Sequence, residues 1–170
     1  MTALPFFQVD AFAEAPLTGN PAAVMPLESW LDDRLLQAIA AENNLSETAF
    51  TVPSQADDRD YDLGWFTPST EVELCGHASL AAGHVGPKGD RVRFSTGSGL
   101  LSVSRHGDLL QLDLPGASVA PAAGPGLERA LGVEGETFAS DGPESIAMVL
   151  LADGEAVCAV GPDFAALHDF

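Results

Sequence analysis

Apolar and polar positions alternate along residues 6–12 of the chain. The side chains on the apolar face are Phe7, Val9 and Ala11. A period of two is typical of a β-strand with one buried face, so we expect an edge or outer strand here. A short apolar run, 22–25, follows the turn residues 19–21 and predicts a second strand.

Leucine and isoleucine then recur at helical spacing between residues 31 and 39. This spacing predicts an amphipathic helix that ends near Asn43, with Ser29 or Asp32 as its N-cap. Three later segments predict strands, and they cover residues 48–52, the alternating run 61–65, and 92–94.

Residues 75–85 consist largely of Ala, Leu, Gly and His. Small residues on every side favour a helix that other elements enclose, rather than a helix on a surface. Two further alternating runs, 101–103 and 110–114, flank the loop 106–108 and predict a β-hairpin. Several strands around two helices make the predicted fold class α+β.

Residues 115–127 are rich in Pro, Gly, Ala and Ser, and they predict a connector. We therefore assign residues 1–115 to an N-terminal lobe with 75–85 as its central helix. Residues 116–170 are then the connector and the beginning of an incomplete second lobe. The elements expected there are a helix near 127–131, strands over 146–151 and 156–160, and a helix that begins at Pro162-Asp163.

The charge of the chain narrows the classes of partner. Its 170 residues hold 25 acidic and 7 basic side chains, for a formal net charge of -18. This excess argues against binding to nucleic acid or to an anionic membrane surface. The start of the chain lacks a basic region before its apolar residues, and no apolar run approaches the ~18–20 residues that span a bilayer. We therefore expect a cytoplasmic protein.

Cofactor and metal motifs are absent from the sequence. The two cysteines, Cys75 and Cys158, lie far apart and form no CxxC pair. His77 and His84 share a helical face, but no third ligand has a suitable spacing, so we expect no metal site. Because no dinucleotide or phosphate-loop pattern occurs, we expect no nucleotide cofactor.

Glu47 is the first candidate for chemistry. It stands at the entrance to a predicted strand, directly after a helix, among the apolar residues Leu45, Ala49 and Phe50. A carboxylate in such surroundings could act as a general acid or base near neutral pH. A turn-capping glutamate is the alternative interpretation.

The start of the predicted central helix holds the other candidates. Its free N–H groups, with Gly76 allowing close approach, could bind a carboxylate or phosphate, and His77 could add a hydrogen bond or a proton. Cys75 could be a thiol base that the helix start activates. The alternatives are a structural histidine and a buried neutral cysteine.

Five segments together resemble the PhzF-like isomerase family, which has the diaminopimelate epimerase fold. In order and spacing, these segments are 6–12, 19–24, 42–50, 65–68 and 75–78. The resemblance is strong over residues 5–115 and weak beyond them. It implies two similar lobes, each a curved, mostly antiparallel sheet around a central helix, with the active site in the cleft between them.

The resemblance also implies roles for individual residues. Glu47 is then the acid/base that moves a proton on a small carboxylate-bearing metabolite, with His77 beside it as a catalytic residue. Ser46, Gly76 and Asn20 are then substrate-binding residues, and no cofactor is needed. The family's second-lobe segment is absent from the 170 residues, so we expect a truncated second lobe and an activity that depends on its completion.

Three alternatives stay open. The first is a racemase or epimerase that uses Cys75 as one of two thiol bases. The second is a non-catalytic binding domain, or one that completes its cleft in a homodimer, since the first lobe's cleft face would otherwise expose apolar surface. The third is the fragment of an interrupted gene.

Overall fold

The computed structural model describes residues 3–86, 89–122, 126–141 and 146–168. The chain divides into two units, Met1–Pro115 and Gly116–Phe170. Both units combine strands with helices, and the predicted α+β class is confirmed.

One sheet dominates the first unit. Its strands are β1 (Phe7–Ala11), β2 (Asn20–Pro26), β3 (Glu47–Pro53), β4 (Tyr61–Phe66), β5 (Glu71–Val72), β6 (Arg91–Thr96), β7 (Gly99–His106) and β8 (Leu109–Asp113). Their order in the sheet is β1-β2-β3-β4-β6-β7-β8, with β5 paired to β4. The pairs β2–β3 and β4–β6 are parallel, and the other pairs in this sheet are antiparallel. The edge position predicted for the first strand is confirmed.

Helix α2 (Gly76–Val85) lies inside the curl of this sheet. It contacts β1 and β2 at one end of the strand order and β7 and β8 at the other, so the sheet must curve around it. Ala78, Ala81 and Ala82 are buried against the strands. The buried hydroxyl of Ser79 donates to the carbonyl oxygen of Cys75 at 2.6 Å, so this polar group is paired inside the core. The predicted enclosed helix is confirmed.

Both faces of the central strands are covered. Successive side chains of a strand point to opposite faces, so Val24 and Ala49 face α2 while Met25 and Phe50 face the other way. The second face packs under helix α1 (Asp33–Asn43), which buries Leu36 there. Two clusters of apolar side chains therefore hold the strands of this unit in position from opposite sides.

The beginning of α1 follows the sequence signal closely. The Asp32 carboxylate accepts a hydrogen bond from the backbone N–H of Arg34 at 3.0 Å, so Asp32 rather than Ser29 is the N-cap. Helix α1 ends at Asn43, where the prediction placed its end.

The second unit holds a small antiparallel sheet and short helices. Its strands are β9 (Val119–Pro121), β10 (Glu136–Ser140) and β11 (Ala147–Leu150), in the order β11-β10-β9. Its helices are α3 (Leu127–Leu131), α4 (Gly154–Cys158) and α5 (Phe164–Leu167). Strand β9 lies within the expected connector, of which residues 123–125 fall outside the described part of the chain.

The strand predicted over 156–160 is wrong. Helix α4 occupies Gly154–Cys158 because the carboxylate of Asp153 accepts the backbone N–H of Ala156 at 2.9 Å and caps a helical turn. An apolar run of five residues is compatible with a strand and with a helical turn, and here the Asp153 cap favours the helix. In the described ranges, no helix has both the length and the apolar character needed to cross a membrane.

Candidate active site

Glu47 is the first residue of β3, and its position depends on the turn that precedes it. Asn44 has φ 51°, in the left-handed region, and its N–H donates to the carbonyl oxygen of Ala40 at 3.1 Å. Asparagine tolerates this conformation better than most residues. The chain therefore reverses direction within three residues of α1 and delivers Glu47 to the start of its strand, opposite Ala22 of β2.

Asn43 strengthens the same junction. Its side-chain amide donates to the hydroxyl of Thr48 at 3.1 Å, and Thr48 is buried. This bond ties the last residue of α1 to the residue after Glu47, so the backbone around the carboxylate has little freedom. The sequence reasoning did not single out Asn43, although a polar residue in the last turn of a helix is the available signal.

Glu47 meets His77 of the central helix. The carboxylate Oε2 lies 3.3 Å from the imidazole Nε2, and the two side chains are 20% and 10% exposed. Both atoms are buried, and neither has a hydrogen-bond partner among the described residues. The pair is thus in contact but is left with unused bonding capacity that a ligand can take up.

Cys75 completes the cluster from the N-cap position of α2, where its side chain makes no capping hydrogen bond. Its Sγ lies 3.4 Å from Nδ1 of His77. Burial, with a smaller contribution from the Glu47 charge, raises the pKa of the Cys75 thiol to about 11, although the N–H groups of Ala78 and His77 oppose the rise. A neutral thiol is therefore the form present near pH 7.

Glu47, Cys75 and His77 together offer three donor atoms that all lie within 4.8 Å of one another. In the described ranges this is the one group of three or more such side chains close enough to hold a metal ion. The sequence offered His77 and His84 on one helical face, but no third metal ligand at a suitable spacing. The tertiary structure supplies a different set of possible ligands, because the beginning of β3 meets the beginning of α2.

The other predicted site residues lie at the same end of the β2–β3 pair. Ser46 is exposed, and its hydroxyl donates to the carbonyl oxygen of Pro21 at 3.5 Å, next to Asn20 at the start of β2. Gly76 begins α2, and a Cβ atom there would meet Leu112 at an ordinary 3.9 Å. Packing therefore does not demand a glycine at position 76. The absence of a side chain there keeps the helix start open to a ligand.

The family model described as phenazine biosynthesis-like protein matches residues 9–170. The chain belongs to this family. A protein of Pseudomonas aeruginosa named as an uncharacterized isomerase is 51% identical over 171 residues, which are 96% of this chain and 63% of that protein. A second protein of that organism, also named as an uncharacterized isomerase, is 46% identical over 170 residues, and the match again covers 63% of that protein. The chain thus spans less than two thirds of the length of these relatives.

Solved structures agree with this assignment. A PhzF family protein of Enterococcus faecalis has a TM-score of 0.79 and 37% identity, over 99% of this chain and 65% of that one. A hydroxyproline epimerase of Agrobacterium vitis has a TM-score of 0.55 and 12% identity, over 86% of this chain and 51% of that one, which shows a shared fold alone. The predicted PhzF-like family and epimerase-type fold are confirmed.

Proposed function

We propose that this chain carries the proton-transfer residues of a cofactor-independent isomerase that acts on a small carboxylate-bearing metabolite. The observation that carries the proposal is the contact between Glu47 and His77, 3.3 Å apart at the start of the central helix. Two titratable groups held together at the edge of a buried core, beside an uncapped helix start, form an arrangement suited to acid/base chemistry.

The proposed reaction needs one base that also returns the proton. The Glu47 carboxylate removes a proton from a carbon that a neighbouring carboxylate or double bond makes acidic. The electron pair moves into the adjacent π system, and Glu47 returns the proton to a different carbon. The product is an isomer of the substrate, with no atom gained or lost, so the reaction needs no cofactor.

His77 supports this role through its two ring nitrogens. In the neutral tautomer with the proton on Nε2, the imidazole presents a donor to Glu47 and leaves Nδ1 to accept from the Cys75 thiol. The histidine is then oriented by the cysteine and in turn orients the carboxylate. The 3.3 Å separation of the two side chains lets a small rotation bring Nε2–H into a hydrogen bond with the Glu47 carboxylate.

The start of α2 supplies the complementary charge for an anionic substrate. No side-chain hydrogen bond caps this ten-residue helix at its N-terminus, so its first N–H groups can bind an anion while the Cys75 thiol is neutral. Such donors can stabilise negative charge as it develops in the transition state. In a chain with a formal charge of -18, a local donor site of this kind is needed to offset the repulsion of an anion by the rest of the molecule.

The thiol-base alternative fits the site less well. With a pKa of about 11, Cys75 is ionised in only about one molecule in 10⁴ near pH 7. Catalysis by Cys75 would therefore begin from a scarce species. Replacement of Cys75 by serine should leave proton transfer largely intact if Glu47 is the base.

The proposal predicts that Glu47→Gln strongly slows proton transfer, because the amide keeps the size of the side chain but cannot accept the proton. We expect a loss of about 10²–10⁴-fold, the usual contribution of a general base. The measurement is deuterium incorporation from heavy water into a panel of small unsaturated carboxylates, followed by proton NMR.

The matched control is Glu42→Gln, which makes the same change at an exposed position at the end of α1. This variant should catalyse deuterium incorporation at the same rate as the unaltered chain. Unchanged exchange in Glu47→Gln would remove Glu47 as the base. Exchange absent from the unaltered chain, with binding of a carboxylate still detectable, would favour the non-catalytic binding domain instead.

A further inference from the structure

The three donor atoms at the start of α2 differ in chemical character. Glu47 offers a carboxylate oxygen, His77 an imidazole nitrogen and Cys75 a sulfur. Mg²⁺ and Ca²⁺ prefer oxygen ligands alone, whereas Zn²⁺ accepts all three of these atom types. The donor set therefore favours Zn²⁺ over Mg²⁺ and Ca²⁺.

The donor atoms of the cluster lie close enough together for one metal ion to reach all of them. One donor atom from each of Glu47, Cys75 and His77 lies within 4.8 Å of the other two. Because zinc bonds are about 2.0–2.3 Å long, the ligand atoms of one tetrahedron lie roughly 3.3–3.6 Å apart, and the Glu47 Oε2–His77 Nε2 distance of 3.3 Å falls in this range. The Cys75 sulfur lies 3.4 Å from the other ring nitrogen, Nδ1, so the side chains must rotate for both residues to meet an ion bound to one nitrogen.

Burial supplies an independent reason for a ligand at this position. Oε2 of Glu47 and Nε2 of His77 are buried without a hydrogen-bond partner among the described residues, and buried polar atoms are costly when they are left unpaired. A carboxylate and a thiolate side by side would repel each other, but a doubly charged cation between them neutralises both. The cluster thus has two buried polar atoms without partners among the described residues, and a divalent cation would offset the negative charge that loss of the Cys75 proton adds.

We propose that Glu47, Cys75 and His77 form a Zn²⁺ site with one coordination position open, and that zinc and proton transfer by Glu47 exclude each other. On binding, the Cys75 S–H bond breaks, its proton leaves to solvent, and the sulfur, the imidazole nitrogen and the carboxylate oxygen replace three waters of the hydrated ion. The oxidation states of metal and protein do not change.

Inhibition by zinc rests on the proposed function, whereas zinc binding does not. A metal ion on Glu47 takes the lone pair that would remove the substrate proton, and it also withdraws His77 from the carboxylate. We therefore expect the metal-free chain to be the form competent for proton transfer. Removal of zinc with a chelator should restore the exchange.

The test is titration of the metal-free chain with Zn²⁺ in competition with a chromophoric chelator. One equivalent should bind, and a large excess of Mg²⁺ should not displace it. Cys75→Ser and His77→Gln should each weaken binding at least about 100-fold, since loss of even a second-shell partner costs 10–100-fold. Substituting Co²⁺ should give a thiolate-to-metal charge-transfer band that Cys75→Ser removes.

Two variants outside the cluster serve as matched controls. Cys158→Ser and His84→Gln alter the same residue types at exposed positions, and both should bind zinc like the unaltered chain. Circular dichroism checks that each variant is folded, and Glu47→Gln offers a third ligand deletion if Cys75→Ser does not fold.

The outcomes separate the two proposals. Zinc affinity that survives both Cys75→Ser and His77→Gln, or that disappears with Cys158→Ser, would overturn the metal site. Zinc bound through Cys75 in a chain whose metal-free form transfers no proton would keep the metal site and overturn the proposed function. Proton transfer that persists at saturating zinc would overturn the mutual exclusion.

Discussion

The reactivity of Cys75 depends on its surroundings rather than on its residue type. Burial raises the pKa of its thiol to about 11, and the thiolate is the nucleophilic form. Cys158 is exposed in the second unit and offers an internal comparison. The helix start that suggested an activated thiol does contribute N–H groups, but desolvation outweighs them.

We predict that iodoacetamide near pH 7 alkylates Cys158 in the folded chain and leaves Cys75 largely unmodified. Below its raised pKa, the thiolate fraction of Cys75 grows about tenfold for each pH unit, so its alkylation rate should rise in the same proportion. Peptide mass spectrometry measures both sites. Comparable labelling of the two cysteines in the folded chain would contradict the buried, neutral thiol, and both should react at similar rates in denaturant.

At the scale of the elements, the fit between α2 and β7 is set by one glycine. A Cβ atom on Gly83 would lie 2.6 Å from Cγ1 and 2.8 Å from Cβ of Val103. These atoms belong to a branched side chain that is 2% exposed, so it has no free space to move into. The central helix can approach the sheet closely because this position has no side chain.

Gly83→Ala should therefore destabilise the chain, although alanine is the better helix former. Overpacking of a core costs typically 1–3 kcal/mol, against a gain in helix propensity of about 1 kcal/mol. We expect a net loss of about 1 kcal/mol in the free energy of unfolding, measured by urea denaturation.

Two variants test the cause of that loss. Gly97→Ala, where a Cβ atom meets nothing within 4 Å, should cost much less. If the clash with Val103 is the reason, the added Val103→Ala change should cost less in the Gly83→Ala background than in the unaltered chain. Equal costs in both backgrounds would show that the helix does not pack as described.

At the scale of the whole molecule, burial differs sharply between the two units. Among the described residues, Ala130 is the one buried apolar side chain beyond Pro115, whereas both apolar clusters belong to the first unit. Several large apolar side chains of the second unit are exposed, and they include Met148, Leu150 and Phe164. Apolar burial is the main stabilising contribution, so the two units should differ in local stability.

Hydrogen exchange should show this difference directly. We predict that amides of β2, β3, β4 and α2 exchange orders of magnitude more slowly than those of β10 and β11. Mass spectrometry of exchanged peptides gives both rates in one experiment. Equal protection in the two units would mean that the second unit is stabilised by more than its own described contacts.

Much of the first unit could be predicted from local patterns. The apolar run 22–25 became β2, the three later predicted segments became β3, β4 and β6, and the last two alternating runs became the β7–β8 hairpin. Asp32 proved to be the N-cap of α1. The family motifs agree with the family match. In the second unit, β10 has one large apolar side chain, Phe138, and α4 depends on the Asp153 cap, so periodicity alone did not identify them.

The sequence by itself determined which residues have the chemistry and which elements carry them. Only the tertiary structure brought Glu47 to His77 and Cys75, which lie about thirty residues further along the chain, by curving the sheet around α2. The reason is physical, since periodicity records which face of an element is buried, whereas the distance between two elements depends on how the whole sheet pairs and curves. The donor set for zinc, which no spacing in the sequence revealed, is a product of that curvature.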